Sequence, residues 1–168
     1  LYHEQFATLG AYNAWANRRL YESAAVLSAE QFAEDRGVFF RSMRGTLNHI
    51  LCADRIWLRR FTGAGDAPDR LDATLFEAFE PLRVAREAED ARIGTFVAGL
   101  GEADLAATVR YSPLSQPGTI EGRLGPTLLH VFNHQTHHRG QAHAVLTGFG
   151  LPAPGMDLVA FLRETGRG

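Results

Sequence analysis

Three observations predict an all-α fold, a four-helix bundle. Apolar residues recur at alternating spacings of three and four through four long stretches of the 168-residue chain. Gly- and Pro-rich breaks separate those stretches. Alternation with period two is confined to one short region before the last long stretch. Length and composition fit a single domain over residues 1–168, with 45% hydrophobic residues and a core large enough to form without disulfides.

The first stretch, LYHEQFATLGAYNAWANRRLYESAAVL, places Tyr2, Phe6, Leu9, Ala16, Leu20 and Leu27 on one helical stripe. Asn13 sits within that stripe and so requires a polar partner. SAEQ, from Ser28 to Gln31, has the form of a capping box and starts a short helical piece. In SMRGTLNHILCADRIWLRRF the stripe returns as Met43, Leu47, Ile50, Ala53, Trp57 and Phe61, and TGAGDAPD ends it. A third long helix is expected from Pro81 to about Leu100, with Pro81 in its first turn. AREAEDAR dilutes its apolar face and predicts a wide solvated side. Val109 and Tyr111 alternate with polar residues, SQPG signals a turn, and Thr119 and Ile120 restart an extended run, which together read as a short hairpin or extended loop. Pro126 opens the fourth helix, which ends near Gly148 or Gly150, and GMDLVAFLRE forms a short closing helix. The long connection before the fourth helix implies a crossover rather than a simple up-and-down order.

Composition removes several function classes. All 17 basic residues are arginines, scattered without a basic block against 19 acidic ones, which gives no footprint for nucleic acid. One cysteine, Cys52, rules out an intramolecular disulfide and a Cys-rich zinc site, and reads as a buried thiol. No apolar run reaches the ~18–20 residues of a membrane span. The N-terminal residues lack the pattern of a secretory signal, so the expected location is cytoplasmic.

Five of the seven histidines crowd into LLHVFNHQTHHRGQAHAVL. A helix turns about 100° per residue, so with His130 at zero the core stripe, marked by Thr127, Val131, Ala142, Val145 and Phe149, centres near 90°. His138 falls at about 80° and His134 at about 40°, inside the stripe, one turn apart. His130 and His137 lie on its flank, and His143 points away. A His-x-x-x-His pair on one face lets two imidazoles reach one ion, and a shared metal relieves the cost of burying them. A third ligand must come from elsewhere. Spacing favours His49 over His3 at the chain start, with Asp54 as a carboxylate alternative whose expected place is the surface. Neither Glu-x-x-His pairs nor His-Glu-x-x-His occur, which sets aside di-iron and zinc-protease sites.

YNAWANRRL, LNHILCADRIWL, HVFNHQTHHRGQ and MDLVAFL, in that order along nearly the whole chain, resemble signatures of the DinB-like family. This family of four-helix metal-binding proteins is related to YfiT-type hydrolases and to S-transferases that use low-molecular-weight thiols. The resemblance implies a divalent metal held by His49, His134 and His138, and a homodimer. Three imidazoles suit zinc or nickel, and also iron, better than magnesium or calcium, and leave positions for water or substrate. Two reactions then come into view: activation of water against an electrophile, or activation of a small thiol as the nucleophile, which the resemblance favours. The competing expectation is a stress-associated protein whose metal is structural or regulatory. His130, His137 and Gln141 lie near the ligands on the wheel and carry no assigned role. Tyr12, Trp15 and Trp57 read as core aromatics.

Overall fold

The computed structural model describes residues 2–114 and 116–167. Its four long helices are α1 (Tyr2–Ala24), α3 (Met43–Thr62), α4 (Phe79–Ala98) and α6 (Leu124–Gly148). Short elements α2 (Ala29–Ala33), α5 (Glu102–Ala106) and α7 (Leu158–Thr165) fill the connections and the C-terminal end. The one region of period two is a hairpin, in which β1 (Thr108–Tyr111) pairs antiparallel with β2 (Ile120–Arg123). Side chains cap the starts of α2 and α3. Ser28 and Gln31 form the expected capping box at α2. The Ser42 hydroxyl accepts from Gly45 N–H at the start of α3, and Gly63 closes that helix in the left-handed region that glycine tolerates. Helix α5 was not anticipated, being only five residues long.

Helix α1 packs against α4 and α6, and α3 against the same two, so the order around the bundle is α1, α4, α3, α6. Two apolar clusters show the directions. One joins Leu20, Leu47, Leu82 and Leu146, and the other joins Phe6, Leu58, Ile93 and Phe132. Helices α3 and α4 therefore run parallel, opposite to α1 and α6. A parallel pair needs a connection that travels back along a helix of roughly 30 Å. The crossover is residues 63–78, between α3 and α4. The segment before α6 joins antiparallel helices across the bundle and holds α5 and the hairpin.

Between the two apolar clusters lies a polar layer to which all four long helices contribute. Arg86 of α4 meets Asp54 of α3 and lies 2.9 Å from Asp90. Asn13 and Asn17 of α1 donate to Asp90 at 3.1 and 2.9 Å. Gln135 of α6 donates to Asp54, and Arg139 donates to Asn13. The partner that Asn13 requires is thus present. One expectation is corrected here: Asp54 is 1% exposed rather than on the surface. Helix α4 has the wide solvated side expected, through Glu80, Val84, Glu87, Ala88, Ala91 and Thr95, but Arg86, Glu89 and Asp90 turn inward. These residues were misplaced because a wheel drawn for one helix treats charge as outward-facing, whereas opposite charges on neighbouring helices let each other stay inside. Burial, the largest influence, raises the Asp54 carboxyl to about 6 despite Arg86 beside it.

Helix α7 docks on α1 through Phe161, whose ring centroid is 5.9 Å from Tyr12 and 5.7 Å from Trp15. Tyr12 O–H donates to the Met156 carbonyl at 2.7 Å, which fixes the approach to that helix. No helix among the described residues is long and apolar enough to cross a membrane.

Candidate metal centre

His49 lies on the face of α3 that meets α6, and there the structure brings His49, His134 and His138 together. The His49 Nε2 atom is 3.1 Å from His134 Nε2 and 3.2 Å from His138 Nε2. All three ligand atoms lie within 4.8 Å of one another, a group that could hold one divalent ion. It is the only such group of His, Cys, Asp or Glu among the described residues. Asp54 is not in it, and His3 is an exposed residue beside Glu102.

Hydrogen bonds orient the rings. The His49 Nδ1–H donates to the Leu71 carbonyl at 2.7 Å, and His138 Nδ1–H donates to Gln141 Oε1 at 2.8 Å. A carbonyl cannot donate, so neutral His49 carries its proton on Nδ1 and turns a lone pair inward from Nε2. With its proton on Nδ1, His138 does the same. Two lone pairs 3.2 Å apart oppose each other, and one Nε2–H on His134 can serve only one of them. A cation at the meeting point resolves the arrangement, with the outer N–H bonds as the usual support of metal-binding imidazoles. Protons do so poorly. Burial first, then the neighbouring histidines, pushes His134 down to about 3. Burial brings His49 to about 4, against the pull of the Leu71 carbonyl.

The crossover supplies the Leu71 carbonyl because α3 pins it at two further points. Asn48 accepts from Phe76 N–H at 2.9 Å and donates to Phe76 O at 3.0 Å, while Cys52 Sγ donates to Ala73 O at 3.2 Å. One stretch, NHILC, therefore both offers a ligand and holds the strand of chain that orients it. The buried Cys52 thiol is raised to about 11 by burial, in keeping with a packing role. Phe40 covers the other side of the site, stacked on His49 with centroids 3.7 Å apart and edge-on to His138. Gly45 permits this, since a Cβ there would run into the Phe40 carbonyl.

The wheel located His138 well and His134 less well. His138 is buried, whereas His134 is half-buried at the edge of the stripe. Gln135 and Arg139, both buried, belong to the stripe and rotate its centre away from His134. That edge position is useful, because His134 with His130 faces a cleft of about 340 Å³ walled by Trp57, Arg60 and Tyr111. His130 and His137 are exposed, as expected on the flank. Tyr12 and Trp15 are core aromatics, but Trp57 is half-buried and belongs to the cleft. Leu71 and Phe40 were missed as parts of the site. Gln141 lies beside the ligands, as the wheel places it, and its contact is with His138, three residues earlier.

Comparison with known proteins bears on the fold and the family. The family model described as DinB family matches residues 3–168. Protein DinB of Bacillus subtilis (strain 168) is 26% identical over 162 residues, covering 92% of this chain and 91% of that protein. The crystal structure of a DinB-like protein from Bacillus cereus shares the fold, with a TM-score of 0.65 at 16% identity over 83% of this chain and 89% of that one. With the family pattern matched from the first helix to the last, the chain belongs to the DinB family.

Proposed function

We propose that His49, His134 and His138 hold one divalent metal ion, zinc or nickel before iron, and that the site serves thiol-dependent transfer to an electrophile. The observation that carries the reading is the pair of inward lone pairs on His49 and His138 at 3.2 Å, beside a cleft that reaches His134. Nitrogen-only ligation favours these metals over magnesium or calcium. When bound, such an ion supplies Lewis acidity, which lowers the pKa of a thiol or water toward neutrality. The chain's own residues do the rest. Leu71 and Gln141 fix the ring orientations, Phe40 excludes water from one side, and the cleft admits small molecules from the other. That cleft supports an enzyme over a closed structural site, which would have a fourth protein ligand.

Hydrolysis at the same site is the second reaction this arrangement supports. A thiol-consumption screen with several electrophiles separates them: S-transfer consumes thiol stoichiometrically with product, and hydrolysis does not. Equal thiol consumption by wild type and His138→Ala removes the transferase reading. A homodimer, drawn from the family resemblance, belongs to the same proposal. Sedimentation at micromolar concentration tests it, and a monomer there refutes it.

A further inference from the structure

The cleft at His134 carries one formal charge, that of Arg60, and no carboxylate lines it. Arg44, Arg70, Arg83 and Arg110 each meet an acidic side chain. Arg60 has no acidic partner among the described residues. Its guanidinium sits against a T-shaped pair of rings, 4.6 Å from the Trp57 centroid and 4.7 Å from that of Tyr111. Nη2 donates to the Ser112 carbonyl at 2.9 Å, one use of the five N–H donors an arginine owns. The rings and this bond hold the group in place before any ligand arrives, which lowers the entropy cost of binding. A planar guanidinium with spare paired donors matches a carboxylate, and charge-assisted bonds of this kind are among the stronger ones. With the ion of the three histidines facing the reacting end, Arg60 is the one charge left in the lining for a remote anionic group, and it matches one carboxylate. The volume of about 340 Å³ lies at the low end for small-molecule sites, roughly 300–1,000 Å³.

We infer that Arg60 anchors the carboxylate of a small substrate whose reacting end lies against His134, so that the site takes a monoanionic carboxylic acid. This inference rests on the metal reading above. The alternative for Arg60 is that it only pins the hairpin to α3 by stacking on Tyr111.

Cobalt(II)-loaded protein titrated with 3-mercaptopropionate and with 3-mercaptopropionamide tests it, followed by the sulfur-to-cobalt absorption band and by calorimetry. The carboxylate thiol is expected to bind at least roughly tenfold more tightly than the amide. Arg60→Gln removes that preference, Arg60→Lys keeps part of it, and both variants bind the amide as wild type does. Equal affinities in wild type, or a preference that survives in Arg60→Gln, overturn the anchor while leaving the metal site standing. Loss of both thiols in Arg60→Gln and Arg60→Lys alike assigns Arg60 to pinning the hairpin and also overturns it. Inorganic phosphate that competes more strongly than acetate, with the excess lost in Arg60→Gln, overturns the monoanion assignment. Cobalt that fails to load in wild type overturns the metal reading, and the anchor with it.

Discussion

Replacing Arg86 with methionine leaves two buried carboxylates, Asp54 and Asp90, without their cation. Methionine roughly keeps the stem, so the change isolates charge from packing. Asp54 keeps the Gln135 amide, and Asp90 keeps Asn13 and Asn17, but no cation touches either carboxylate, since Arg139 reaches them only through those amides. Removing one partner of a buried pair costs about 3–5 kcal/mol. Here two carboxylates lose the same cation, which places the loss at pH 7 near about 5 kcal/mol. For a chain of this length that is a fall in Tm of roughly 10–20 °C. Acid relieves the cost, since the Asp54 carboxyl, already raised by burial, can then take a proton, so the deficit shrinks between pH 7 and pH 5. Thermal and urea unfolding followed by circular dichroism at both pH values measure this, and Arg86→Met with Asp54→Leu should recover part of the loss. A deficit under about 1 kcal/mol at pH 7, or one that does not shrink in acid, would refute the claim that this layer seats the four helices.

Gln141→Ala removes the acceptor that orients His138 and should weaken metal affinity roughly 10–100-fold in a competitive chelator titration, with unchanged affinity counting against an orienting role. In metal-free protein, the folded-state pKa values of His49 (about 4) and His134 (about 3) lie below the ordinary 6.5. The unfolded chain then binds more protons in that window, so the stability these two contribute is full above pH 6.5 and is lost as pH falls toward 4. The raised Asp54 acts in the opposite sense, but it is common to wild type and His134→Phe. Wild type should therefore lose more stability than His134→Phe between pH 7 and pH 5, and equal slopes contradict the assignment.

Much of this was legible in the chain because the main signals are local. Periodicity located the four long helices, SAEQ its cap, and the alternation at Val109 and Tyr111 the hairpin. His134 and His138 could be paired because they share a helix, and the choice of His49 drew on the family resemblance. What was hidden depends on residues meeting across elements. Nothing near Leu71 marks its carbonyl as a partner of His49, and nothing near Phe40 marks its ring as a cover. Asp54, Arg86, Asp90, Gln135 and Arg139 look like surface residues until they are seen to neutralise one another. The same oversight placed the crossover before α6, since the parallel sense of α3 and α4 is invisible in either helix alone.

Metal content of protein purified without a histidine tag bears most directly on the account. Elemental analysis, with circular dichroism to confirm folding, should find about one divalent ion per chain in wild type, the number one three-histidine site holds. His134→Ala and His138→Ala should be folded and essentially empty. Wild type without stoichiometric metal, or either variant with as much metal as wild type, would contradict the three-histidine centre.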